Sequence, residues 1–291
     1  NEERSEIGTV YKQNSVEEAV QLGMVYASRN LPEIYNQIAA IRKGNRDIIL
    51  FCERGGMRST SICSLLNSVG LKVAKLDGGY KRYRKHINDT LPELMKDVEL
   101  IVLHGMTGTG KTQILNRLEK DGMKVLDLEG FANHRGSLLG SVGLGEQNSQ
   151  RTFESLLFEK LMEKGSGIYF SEAESSRIGN VIQPKFLFEK VRSGKAVLIT
   201  STLENRCRRL VEEYTMRENH LEEILEAIRL MEKYSGKERA EEFRRMAREG
   251  KFDELAEQMM LKYYDPMYGH GQSRHEFVKT LSSDEFENCI Q

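Results

Sequence analysis

With 291 residues, 39% of them hydrophobic and 30% charged, the chain has the length of two domains and enough apolar material for real cores. No apolar run approaches the roughly 20 residues of a membrane-spanning helix, and the four cysteines, Cys52, Cys63, Cys207 and Cys289, are too scattered for a disulfide framework or a metal site, so a cytoplasmic protein off the membrane is expected. A formal net charge of −1 argues against a generally basic nucleic-acid binder, and any RNA contact has to draw on local clusters of cations.

In chain order, Pro32 is expected to open a helix with Ile34, Tyr35, Ile38 and Ile41 on one face. The short apolar run Ile48 to Phe51 then predicts a strand ending at Cys52. The loop Cys52-Glu53-Arg54-Gly55-Gly56-Met57-Arg58-Ser59 follows, and Ile62, Leu65, Leu66 and Val69 repeat at helical spacing, with Gly70 at the C-terminal cap. A cysteine at a strand end, in a loop closing on a helix N-terminus, receives backbone N–H groups and the helix dipole. With Arg54 and Arg58 beside it, Cys52 is expected to favour the thiolate, a nucleophile and a carrier of sulfur or selenium. The bland alternative is a buried structural cysteine, and that is the reading adopted for Cys63.

Tyr80 to His86 is basic with interleaved aromatics. Lys81, Arg82 and Arg84 are candidate contacts for RNA phosphates and Tyr83 for an unstacked base, the alternative being a solvated helix face. Two later clusters, Arg206, Arg208 and Arg209, then Arg244, Arg245 and Arg248, neighbour glutamates and read more simply as solvated faces. Asp89 to Pro92 is expected to start a linker, which divides the chain into residues 1–93, 94–202 and 203–291.

Strands are expected at 98–103, 124–128, 167–171 and 196–200, separated by helical patterns, which predicts a parallel sheet covered on both faces. Between the first strand and its helix lies Gly105-Met106-Thr107-Gly108-Thr109-Gly110-Lys111-Thr112, which fits the phosphate-binding P-loop. Gly105, Gly108 and Gly110 let the backbone wrap a phosphate, Lys111 adds a full charge, and the Thr112 hydroxyl suits magnesium, with Asp127 or Glu172 as the accompanying acid. The glycine-rich stretch 129–149 follows a strand end, so His134, Arg135 and Ser137 are candidates to face a ligand. Glu174 and Arg177 either position a ligand or pair with each other. Residues 203–262 read as charged helices, a possible grip on RNA, and the aromatics of 263–270 as packing against the core.

The strand, Cys-loop and helix arrangement resembles two families: rhodaneses, which carry sulfur on the cysteine, and Cys-x5-Arg phosphatases, whose spacing Cys52 and Arg58 share. Leu76-Asp77-Gly78-Gly79 favours the rhodanese fold. Combined with the P-loop, the chain resembles the tRNA 2-selenouridine synthases, a rhodanese domain fused to a P-loop domain. The resemblance runs through Ile7 to Lys12, Cys52 to Ser59, Gly105 to Thr112, Asp127 to Gly130, His134 to Ser137 and Glu174 to Gly179, and weakens in the C-terminal helices. It implies conversion of wobble 2-thiouridine to 2-selenouridine in tRNA through an S-geranylated intermediate. Geranyl diphosphate and selenophosphate are the implied co-substrates, a selenophosphate supplier the implied partner, and magnesium the expected ion. A complete rhodanese domain has an earlier strand with an Asp-x-Arg segment, so a further N-terminal part is expected. The competing readings are a P-loop NTPase or kinase joined to a rhodanese sulfur carrier, a Cys-x5-Arg phosphatase, and an RNA-binding module without activity.

Overall fold

The computed structural model describes residues 2–42, 47–137, 140–141, 143–215, 220–266 and 276–290. Two compact units divide the chain, Asn1–His86 and Ile87–Gln291.

The first unit opens on a helical hairpin of α1 (Glu2–Gln13) and α2 (Val16–Arg42). Pro32 lies inside α2 rather than opening a helix, because the chain is already helical from Val16. Of the expected apolar face only Ile38 is buried, while Tyr35 and Ile41 remain exposed. A two-stranded parallel sheet pairs β1 (Ile49–Leu50) with β2 (Ala74–Lys75). Between them runs α3 (Met57–Ser68), ended as expected by Gly70 at φ 87°, with Leu71 N–H reaching back to Leu66 O over 2.9 Å. The next helix, α4 (Gly79–Leu94), absorbs the expected linker: Asp89 to Pro92 continue it, and Leu91 is only 2% exposed. Its amphipathic spacing buries Ile87, Leu91 and Met95 and holds the segment helical despite Pro92.

The second unit is a five-stranded sheet in the order β4-β5-β3-β8-β9, parallel throughout. Its strands are β3 (Val98–His104), β4 (Val125–Leu126), β5 (Gly167–Glu172), β8 (Lys195–Thr200) and β9 (Phe277–Ser282). A small antiparallel pair, β6 (Arg177–Ile178) with β7 (Val181–Ile182), stands outside it. The helices are α5 (Lys111–Lys120), the short α6 (Leu128–Ala132), α7 (Gln150–Lys164), α8 (Lys185–Ser193) and a terminal α13 (Phe286–Ile290). Leu103, Val125, Val197 and Ile199 of the sheet meet Ile114 and Leu115 of α5 and Cys289 of α13 in one apolar cluster.

Between β8 and β9 stand α9 (Leu203–Thr215), α10 (His220–Ser235), α11 (Lys237–Arg248) and α12 (Phe252–Met259), which continues into a π-helical turn over Met260–Tyr264. They have their own core around Ile228, Met231, Phe243 and Met260, in which Tyr263 and Tyr264 are buried as expected. Met267 to His270 lie outside the described residues. The stretch from 203 onward is not helical to its end: β9 adds a strand at the sheet edge beside β8. Its alternation of side chains is mostly exposed, so it lacks the apolar run that marked the inner strands.

Candidate active site

In the first unit the chain leaves β1 and turns through the Cys52 loop onto the N-terminus of α3. The start of α4 fastens this loop: Tyr80 and Lys81 N–H groups donate to the carbonyls of Cys52 and Glu53 over 3.0 and 2.9 Å. So close is the approach that a Cβ on Gly79 (φ 60°) would collide with Cys52 O and Gly55 N. The Cys52 thiol is half-buried, with its sulfur 3.2 Å from the Ser59 hydroxyl. Burial works against its ionisation, but the Ser59 hydroxyl and the backbone N–H groups of Ser59, Arg54 and Gly56 outweigh it and bring the pKa down to about 6. Cys52 is therefore largely thiolate at neutral pH. The sequence pointed to backbone N–H groups, the helix dipole and the two arginines; the N–H groups do contribute, and the strongest partner is the hydroxyl of Ser59, the third residue of α3. The Arg54 and Arg58 side chains are exposed, with no hydrogen bond or ion pair to other described residues. Cys63 meets the Val73 carbonyl instead, at 3.5 Å.

Of the RNA candidates, Lys81 and Arg82 are exposed and their side chains have no such partners among the described residues, whereas Tyr83 and Arg84 are half-buried. The Tyr83 ring lies 6.3 Å from that of Tyr80, which stacks on Phe51.

In the second unit β3 leads into the P-loop, and Gly110 at φ 83° caps α5. From β3 the chain crosses to β5 and β4 on one side, and from β8 to β9 on the other, so the P-loop stands at the point where the winding reverses. Lys111 Nζ donates to the carbonyls of Gly105 and Met106 over 2.9 and 3.3 Å. The Thr112 hydroxyl donates to Glu129 Oε2 over 3.3 Å. Glu172, 1% exposed, accepts the Glu129 N–H over 2.8 Å, and its other oxygen is buried with no hydrogen-bond partner. Burial, then the neighbouring Asp127, pushes Glu172 up to about 8. Burial followed by Glu174 and Glu172 raises Glu129 well above the carboxylate range, against the pull of Lys111, and burial raises Glu174 likewise. Three crowded carboxyl groups thus stand beside one lysine and one hydroxyl.

The two acids left open by the sequence are placed differently. Glu172 ends β5, next to β3, with Leu103 as its register partner. Asp127 Oδ1 accepts the Gly130 N–H over 2.8 Å and caps α6. Glu129, which sequence reading passed over, takes its place beside Thr112. Magnesium in phosphate sites uses one or two carboxylates together with phosphate oxygens. The Thr112 hydroxyl, Glu129 and the unpartnered oxygen of Glu172 suit that arrangement. Among the described residues no three His, Cys, Asp or Glu side chains are grouped to hold a metal by themselves.

The glycine-rich stretch folds against the same end of the sheet. His134 is buried between Gly140 and Gly179, its Nδ1 without a hydrogen-bond partner, and burial followed by Arg135 lowers its pKa. The Ser137 hydroxyl is buried beside the Tyr214 phenol. Arg135 is occupied structurally: it ion-pairs with Glu213 and lies 5.2 Å over the Tyr214 ring. Glu174 and Arg177 do not pair with each other. Glu174 abuts Gly136, and Arg177 Nε donates to Gly179 O over 3.0 Å. The arginine cluster of α9 is not a solvated face either. Arg206 is 4% exposed and bound to Asp265 at 2.6 Å, and the half-buried Arg209 turns inward to Ser201 and Ser283; Arg208 is the exposed one of the three. In α11, Arg244 and Arg248 pair with glutamates.

A parallel sheet with a P-loop sequence at its winding reversal, and crowded acids at the neighbouring strand end, defines a P-loop α/β domain. Residues 98–291 match the family described as the tRNA 2-selenouridine synthase AAA domain. Over 310 aligned positions the chain is 32% identical to the tRNA 2-selenouridine synthase of Pseudomonas syringae pv. syringae, covering 95% of this chain and 83% of that protein. It is also 32% identical to the enzyme of that name from Hydrogenovibrio crunogenus, over 94% of this chain and 82% of that one. To the one from Pseudomonas fluorescens Pf-5 it is 31% identical, over 92% and 80%. The chain belongs to the tRNA 2-selenouridine synthase family.

Proposed function

We propose that this protein replaces the sulfur of 2-thiouridine by selenium at the wobble position of tRNA, through an S-geranylated intermediate. The observation that carries the reading is the presence, in one chain of this family, of a cysteine loop tuned to the thiolate and a P-loop with its lysine, hydroxyl and acids in place. Every co-substrate of such a reaction carries phosphate, and each loop is suited to an anion.

In this reading geranyl diphosphate lies with its diphosphate on Gly105 to Thr112, contacted by Lys111. The thiocarbonyl sulfur attacks the first geranyl carbon, the C–S bond forms as the C–O bond breaks, and diphosphate leaves with both electrons. Lys111 and the loop N–H groups stabilise the charge that develops on the departing oxygen. Magnesium, when bound at Thr112, Glu129 and Glu172, would neutralise further phosphate charge. Alkylation, with loss of the N3 proton, turns a poor leaving group into a good one; the selenium of selenophosphate adds at C2, geranylthiol departs carrying a proton, and water cleaves the P–Se bond to release phosphate and leave 2-selenouridine. Cys52 serves this second step in the rhodanese-like part, and Arg54 and Arg58 hold the anionic selenium donor. His134 and Ser137 serve as further ligand contacts. Lys81 and Arg82 meet tRNA phosphates, with Tyr83 and Arg84 behind them.

The test is nucleoside analysis of 2-thiouridine tRNA incubated with the protein, magnesium, geranyl diphosphate and selenophosphate. Mass spectrometry should find S-geranyl-2-thiouridine with geranyl diphosphate alone and 2-selenouridine when both are supplied. Lys111→Ala should remove both products, and Cys52→Ser only the second. Turnover of ATP without tRNA, with neither nucleoside formed, would replace this reading by the NTPase with a sulfur carrier.

A further inference from the structure

Three successive carbonyls of the P-loop are held by side chains from distant parts of the chain. Arg206 Nε donates to Thr107 O over 2.8 Å, Arg209 Nη1 to Gly108 O over 3.3 Å, and the Ser283 hydroxyl to Thr109 O over 2.7 Å. Each holder is itself fixed. Asp265 grips Arg206 with both oxygens at 3.1 and 2.6 Å. Arg209 Nη2 donates to Ser283 O over 2.7 Å, which ties the second holder to the third. Ser283, fully buried, is set by its own N–H on Thr200 O at 2.9 Å. The fit is close: a Cβ on Gly108 would stand 2.7 Å from Arg206 O.

A peptide unit is planar and trans, so its carbonyl and the following N–H point in opposite directions. Holding the carbonyls of Thr107, Gly108 and Thr109 toward α9 and Ser283 directs the N–H groups of Gly108, Thr109 and Gly110 the other way. The N–H groups of Gly108 and Gly110 donate to no other described residue, and that of Thr109 makes only a 3.4 Å bond to Met106 O. We propose that Arg206, Arg209 and Ser283 are positioning residues for diphosphate binding, acting by orienting the P-loop N–H groups before the ligand arrives. The proposal rests on the reading of Gly105 to Thr112 as a diphosphate site. Without the holders the loop would have to be ordered at the expense of binding.

Inorganic pyrophosphate is the probe, titrated with magnesium by calorimetry into the whole protein, with Tm read in parallel. Ser283→Ala changes no charge, so any loss cannot come from long-range electrostatics. It should raise the Kd roughly 3- to 10-fold, the effect of one missing hydrogen bond, with little change in Tm. Ser283→Thr, which keeps the hydroxyl, should restore most of the affinity. Arg209→Gln, read the same way, decides the matter if Ser283→Ala proves unstable. Lys111→Ala is the reference for the site. If Lys111→Ala weakens pyrophosphate while Ser283→Ala and Arg209→Gln leave it unchanged, the positioning role is overturned and the site reading stands. If Lys111→Ala also leaves Kd unchanged, both are overturned.

Discussion

At Cys52 two pressures on one thiol oppose each other, and the hydrogen bonds win. Partial burial favours the neutral form, while Ser59 and three backbone N–H groups favour the anion and set the pKa at about 6. Only the thiolate is nucleophilic, so alkylation by iodoacetamide should be fast at neutral pH and fall as pH drops through about 6. Ser59→Ala should move that midpoint up toward the ordinary thiol value of about 8.5. An unmoved midpoint would show that Ser59 is not the partner that matters. The side chains of Arg54 and Arg58 play a different part: unpaired and exposed, their guanidinium groups are available to an anion. A lone sequence shows the cysteine, the glycines and the arginines of this loop. It does not show which hydroxyl the helix will turn toward the sulfur.

At the scale of elements, α4 matters most to the thiol, because its first turn receives the carbonyls of Cys52 and Glu53. Gly79→Ala puts a methyl group into that approach, at a left-handed φ of 60°. It should destabilise the first unit by about 1–3 kcal/mol and slow Cys52 alkylation at pH 7. Urea denaturation monitored by Cys52 labelling reads both, and parent-like behaviour in both would show that the approach is not needed. What the sequence disclosed about elements follows from burial. The inner strands β3, β5 and β8, the Cys52 loop and the P-loop are apolar runs or glycine-rich turns that follow them, and all were legible. Edge strand β9 was not, having no continuous apolar run. Nor was the helical course of Asp89 to Pro92, where a proline usually interrupts and here the buried Leu91 prevails. Arg206 and Arg209 looked like surface charge because a run of cations has no inside or outside until its helix is placed. Asp127 and Glu172 were equal until the sheet order put β5 next to β3.

Across the whole molecule, charge is distributed so that many cations are already paired. Surface arginines such as Arg208, Arg229 and Arg248 lie against glutamates. Such exposed pairs contribute little to stability and lower the pull on a polyanion. Arg54, Arg58, Lys81 and Arg82 carry no such partner among the described residues. RNA affinity should therefore depend heavily on them despite the net charge of −1. Replacing Lys81 and Arg82 together by alanine should weaken tRNA binding and flatten log Kd against log salt by roughly 0.7–0.9 for each phosphate no longer neutralised. Because phosphate contacts carry no base identity, thiolated and unmodified tRNA should be affected alike. An unchanged salt slope would move the footprint to other surfaces.

Ser283 also bears on the order in which the protein is made. The P-loop spans residues 105–112, but the hydroxyl on the Thr109 carbonyl belongs to a residue made 174 positions later. Between them the ribosome must deliver the helices α9 to α12 and the strand β9, which closes the sheet beside β8. Contacts of such long sequence separation form late. A growing chain would thus display the phosphate-binding signature long before the backbone is set to use it. On the reading proposed above, full affinity for a diphosphate would come only once synthesis has passed residue 283.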